Sequence, residues 1–92
     1  MDQGFYLLAF DSTQHSMKAD KLAAGHFRAA IVPTPTEITS GCGFSLRFYE
    51  GDAEVLLDFA HKLPVPAKLY HLGEKGPDGR RAVTTIGEGG AG

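Results

Sequence analysis

The sequence predicts an α+β domain of order β-α-β-β-α-β, a two-layer sandwich with two helices on one face of a four-stranded antiparallel sheet. Three observations predict it. A nearly unbroken apolar run opens the chain. Two segments that begin with capping residues and carry helix formers separate the strand-like runs. Prolines and glycines punctuate the boundaries. With 92 residues the chain has room for one thin core.

The run "GFYLLAF" (Gly4 to Phe10) suits a central strand covered by a helix. "DST" follows, and Asp11 or Ser12 can cap a helix from Thr13 to Ala24, with Gly25 as its stop. The helix has a weak stripe: His15, Ala19, Leu22, Ala23 and His26 share a face, and Met17 points elsewhere. "FRAAIVPTP" reads as a second strand ended by Pro33 or Pro35, which cannot donate to a ladder. The loop "TEITSGCG" leads to "FSLRFY", whose period of two marks a third strand. Gly51 turns the chain and Asp52 caps a second helix with Val55, Leu56, Phe59, Ala60 and Leu63 at helical spacing. "PVP" ends it, and "AKLYHL" supplies a fourth strand.

From Gly73 the composition turns to glycine with few large apolar residues. Residues 1–72 therefore read as the domain and 73–92 as a flexible tail, in which "AVTTI" is a candidate short edge strand. The element order is ferredoxin-like, with spatial strand order 4-1-3-2. In that topology one sheet edge collects the loop between strands two and three, the start of the first helix (Ser12, Thr13, His15) and the end of the second (His61, Lys62).

The formal charge of -2 offers no electrostatic reason to expect nucleic acid or an anionic membrane as partner. No apolar run approaches the roughly 20 residues that span a bilayer. The start "MDQG" lacks the basic residues of a signal peptide. One cysteine cannot close an intrachain disulfide, which points to a reducing cytoplasm. One Cys and four scattered His show no zinc spacing, and no phosphate- or dinucleotide-binding motif is present, so neither metal nor cofactor is expected.

Cys42 stands between Gly41 and Gly43 in the loop. The thiolate is the nucleophile; a free thiol titrates at about 8.5, and a helix N-terminus or a cation lowers that value. Backbone N–H groups in a glycine-flanked turn can form an anion-binding nest. His15 reads as an acid–base partner for the thiol, or as a residue that packs locally. Lys62 reads as a partner for the thiolate, or as a helix-end charge favoured by the dipole. A lone cysteine also reads as a small buried hydrophobe, and paired glycines as residues that allow positive φ.

"PTPTEITSGCGFSLRF", together with "YLLAFDSTQHSMKADKL", resembles the DUF3343 family, described as putative selenium/sulfur carrier protein-like. The resemblance covers roughly Gly4 to Leu72. It implies that Cys42 holds sulfur as a persulfide, or selenium as its analogue, and relays it to an acceptor protein. Gly41 and Gly43 would leave the backbone open, and Ser40 and His15 would hydrogen-bond the anion. The implied partners are a donor such as a cysteine desulfurase and an acceptor. Thr36 stands where the family pattern has a basic residue, which removes one anion contact. The Cys-Pro-x-Pro motif of another group of sulfur-relay proteins is absent.

A different class stays open: a non-enzymatic ferredoxin-like binding, regulatory or dimerisation module with a structural cysteine. In that case strand two could pair with a second copy to form a homodimer. Thiol redox sensing would need a resolving thiol from another molecule.

Overall fold

The computed structural model of the protein describes residues 4–38 and 43–90. Strand β1 (Phe5–Phe10) has its last four residues buried, as a strand covered on both faces must. The helix α1 (Thr13–Ala23) follows; its cap is Ser12, whose Oγ accepts the His15 N–H at 3.2 Å. Gly25, at φ +86°, takes the left-handed conformation that ends the helix. Ser12→Ala should lower stability by about 1 kcal/mol. Urea unfolding will read this as a lower midpoint at unchanged slope.

The face that α1 buries is made of small residues, Ser16, Ala19 and Ala23. That narrow stripe explains the weak apolar periodicity. Leu22, expected on the packed face, is 43% exposed, so the helix approaches the sheet through alanines instead.

Strands β2 (Ala29–Pro33) and β3 (Phe44–Phe48) form a hairpin. The helix α2 (Ala53–Lys62) is capped by Asp52, whose Oδ1 accepts the Val55 N–H at 2.9 Å. Strand β4 (Ala67–Lys75) and strand β5 (Arg81–Gly89) complete the chain.

The sheet has five strands in the order β2-β3-β1-β4-β5, every neighbouring pair antiparallel. This corrects the expected count of four. The first four strands keep the expected spatial order. The fifth comes from the segment read as a tail, and it pairs with β4 from Ala67↔Gly89 to Lys75↔Arg81 with two irregularities. Its glycines do not loosen the chain; they let α2 sit close. A Cβ added to Gly87 would lie 2.7 Å from Leu57 Cδ1. One added to Gly89 would collide with the Ala60 carbonyl. Glycine in a strand often marks such a close approach.

Both helices pack on one face of the sheet. Leu8, Phe10, Leu46, Phe48 and Leu69 meet Ala19, Ala23, Leu56, Ala60 and Leu63 there. Phe27, Phe48 and Phe59 pack edge to face, with centroids 5.3–6.0 Å apart. The opposite face is not bare. Leu7, Ala9 and Leu72 lie with Ile38, a residue of the β2–β3 loop, in a second apolar cluster. Beside it, the guanidinium groups of Arg47 and Arg81 lie over the Phe5 ring, at 4.1 and 5.0 Å from its centroid.

Candidate functional site at the loop rim

The strand registers define one rim of the sheet. Phe10 faces Ala67, Ala9 faces Ser45, and Pro33 faces Phe44. The start of α1, both ends of the β2–β3 loop and the link from α2 to β4 therefore share that rim, as the topology predicted. The expected nucleophile Cys42 and its neighbours Ser40 and Gly41 lie outside the described residues. What the structure gives is the frame around them.

The base of the loop is tied. The Thr34 N–H donates to the Gly43 carbonyl at 2.9 Å, and the Thr34 and Ser45 hydroxyls hydrogen-bond at 2.7 Å. Ser45 is fully buried, so this bond satisfies a hydroxyl that water cannot reach. Gly43 itself is exposed and does not have positive φ. A Cβ there would meet nothing within 4 Å. Gly43 thus has open space on its side-chain side and is not demanded by a strained turn.

His15 sits in the first turn of α1, half-buried. Its Nδ1 is shielded from solvent and has no hydrogen-bond partner among the described residues. A buried polar atom left unpaired is unfavourable by about 1–3 kcal/mol, so an imidazole nitrogen here is available to a group that can pair with it. Lys62 is used differently: its Nζ pairs with Asp58 Oδ2 at 2.9 Å along the helix, both side chains exposed. His61 is exposed near the end of α2.

The residues leading towards Cys42 are held on the face opposite the helices. The Ile38 N–H donates to the Pro35 carbonyl at 3.0 Å, closing a turn that puts the Ile38 side chain against Leu7, Ala9 and Leu72. Glu37 Oε2 accepts the Arg81 N–H at 3.1 Å, and Oε1 accepts the Thr36 hydroxyl at 3.2 Å. The Arg81 N–H bond, then the backbone N–H of Glu37 itself, hold this carboxyl below its ordinary value of 4.5; the Thr36 hydroxyl and the charge of Arg80 add to them against a smaller desolvation effect. A depressed carboxyl contributes stability above its unfolded value and loses it as pH falls through the folded one. The contact therefore holds through neutral pH and releases only in acid, below 4.5.

Glu37 escaped the sequence reading. Its partner lies 44 residues away in a segment that looked unstructured, so no local spacing signalled the pair.

A cavity of about 180 Å³ opens at the same rim, lined among others by Asp11, Lys68, Tyr70 and Glu88. It is smaller than the roughly 300–1,000 Å³ of small-molecule sites. A groove of about 580 Å³ runs between the helices, and neither His15 nor Gly43 lines it. Among the described residues no three His, Cys, Asp or Glu side chains group to hold a metal ion. No helix among them is long and apolar enough to cross a membrane.

A family model described as "Putative Se/S carrier protein-like" matches residues 5–71, from the start of β1 into β4. The match includes the whole β2–β3 loop with Cys42 and leaves out β5. No curated protein and no solved structure matches the chain.

Proposed function

Since the chain belongs to the putative Se/S carrier protein-like family, we propose that it carries sulfur or selenium on Cys42 and relays it between protein partners. The observation that carries this reading is the family match across the loop that holds the only cysteine. The rim geometry supports it: a tied loop base, open space at Gly43, and a shielded histidine nitrogen at the start of a helix that has no partner among the described residues.

The chemistry is thiol exchange. The Cys42 thiolate attacks the outer sulfur of a donor persulfide. The donor S–S bond breaks, the donor leaves as a thiolate, and Cys42 becomes a persulfide. An acceptor thiolate then attacks that outer sulfur, and the Cys42 thiolate leaves. No external oxidant or reductant is consumed. His15 would hydrogen-bond the anion or hand it a proton, and Ser40 and the amides around Gly41 and Gly43 would hold it. A cysteine desulfurase is the natural class of donor, and a reducing cytoplasm the natural setting. The sheet is read as a ferredoxin-like plait extended by β5.

The reduced protein, incubated with a cysteine desulfurase and cysteine, should gain the mass of one sulfur atom. Cys42→Ser should gain none while keeping the fold. Wild-type protein that stays unmodified with several desulfurases would sink the carrier reading and leave a binding module with a structural cysteine.

A further inference from the structure

Among the described residues, Arg47 is a cation without a paired carboxylate. It stands on β3, partly buried, opposite Leu7 of β1 and Ala30 of β2. Its guanidinium carbon lies 4.1 Å from the centroid of the Phe5 ring and 4.9 Å from that of Tyr49, so two aromatic rings hold the charged group in place. The Nε is shut off from solvent and has no hydrogen-bond partner among the described residues. A buried donor in that state calls for an acceptor.

The same side chain lines a cavity of about 290 Å³ at the rim remote from the β2–β3 loop, where β1 begins and β3 ends. Glu50 lines it too, with Tyr49, Gly51 and His71. Glu50 Oε1 accepts the Arg28 N–H at 2.8 Å, and the Tyr49 N–H donates to the Arg28 carbonyl at 2.7 Å. The backbone of Arg28 thus steadies the carboxylate, as the rings steady the cation. These two opposite charges share one small cavity yet form no ion pair with each other.

We propose that this cavity binds a free α-amino acid, its carboxylate on the Arg47 guanidinium and its ammonium on the Glu50 carboxylate. A bare anion would gain Arg47 but meet the charge of Glu50, and a bare cation would meet the reverse. A zwitterion whose charges flank one carbon answers both. The guanidinium offers parallel N–H groups to a carboxylate, the geometry of its strongest hydrogen bonds. Both protein charges are already in position, so little ordering is left to oppose binding. The volume lies at the lower edge of the roughly 300–1,000 Å³ of small-molecule sites, which suits a ligand of this size. The proposal does not rest on the carrier reading and uses no residue of the β2–β3 loop.

The test is an NMR titration of the isotope-labelled full chain with each of the common L-amino acids. At least one should shift the amide signals of residues 47–51 and 71 saturably, with a dissociation constant of about 1 mM or below. Its N-acetyl derivative, which lacks the ammonium, and its amide, which lacks the carboxylate, should each bind about tenfold more weakly. Arg47→Met keeps the apolar stem between the rings, and Glu50→Gln keeps an acceptor for the Arg28 N–H. Each variant should lose about tenfold in affinity with its circular dichroism unchanged. Should Arg47→Met unfold, Glu50→Gln decides. No saturable shift with any amino acid would overturn the proposal and leave Arg47 as a packing residue. Equal binding of the N-acetyl derivative or of inorganic phosphate, or undiminished binding by Glu50→Gln, would overturn it in favour of a simple anion site.

Discussion

Gly89→Ala is expected to destabilise the protein by about 3 kcal/mol, an overpacking effect at the upper end of what one methyl group causes. For a domain of this size that lowers the melting temperature by roughly 15 °C. The reason lies in what the methyl group would strike. At Gly89 it runs into the Ala60 carbonyl and comes within 2.7 Å of the His61 nitrogen, both backbone atoms of α2. A flexible side chain could swing away; a helix backbone cannot without lifting α2 from the sheet. Ala60 is itself fully buried, so the helix has no slack on that side. Gly43→Ala is the matched control, because the same methyl group there meets nothing within 4 Å. Thermal melts of the two variants should differ by most of the predicted shift. Equal melting temperatures would mean that α2 does not rest on β5.

A chain stopped after Lys75 is the second large effect. It removes β5 and with it the partner of β4 along Ala67, Leu69, Tyr70 and Leu72. It also removes Ile86 from the edge of the helix-side core and takes away the anchor of Glu37. We expect a loss of about 4 kcal/mol, a large part of the roughly 5–15 kcal/mol that stabilises a typical domain. Circular dichroism melts would show a transition lowered by about 20 °C, or none. A truncated chain that melts with the full one would restore residues 73–92 to the role of a tail.

Much of the fold was legible because local chemistry and tertiary structure agree. The apolar run before Phe10 became β1, Asp52 capped α2, and Gly25 stopped α1. Of the two candidate caps at α1, Ser12 took the role. Val55 kept the helical spacing yet points to solvent at 48% exposure, because the stripe that α2 buries runs through Leu56 and Ala60.

The fifth strand was hidden by its glycines. In sequence they signal freedom, whereas Gly87 and Gly89 are small because α2 crosses close to them. That distinction depends on a neighbour nearly thirty residues away, and no window along the chain contains it. The site divides in the same way. The rim followed from topology, and the place of His15 in the first turn of α1 followed from its position after a cap. The tie from Glu37 to Arg81 joins a loop to a strand that had not been recognised, so it could not be foreseen.

The position of β5 also bears on how the molecule is made. A ribosome delivers β1 through β4 and both helices before residues 81–89. Until β5 pairs with β4, Leu57 and the backbone of Ala60 lack the glycines that lie against them in the finished fold. A sheet without β5 lacks the strand against which α2 lies. Completion should therefore be late and abrupt, with the outer strand adding to β4, seating the helix and fastening Glu37 in one step.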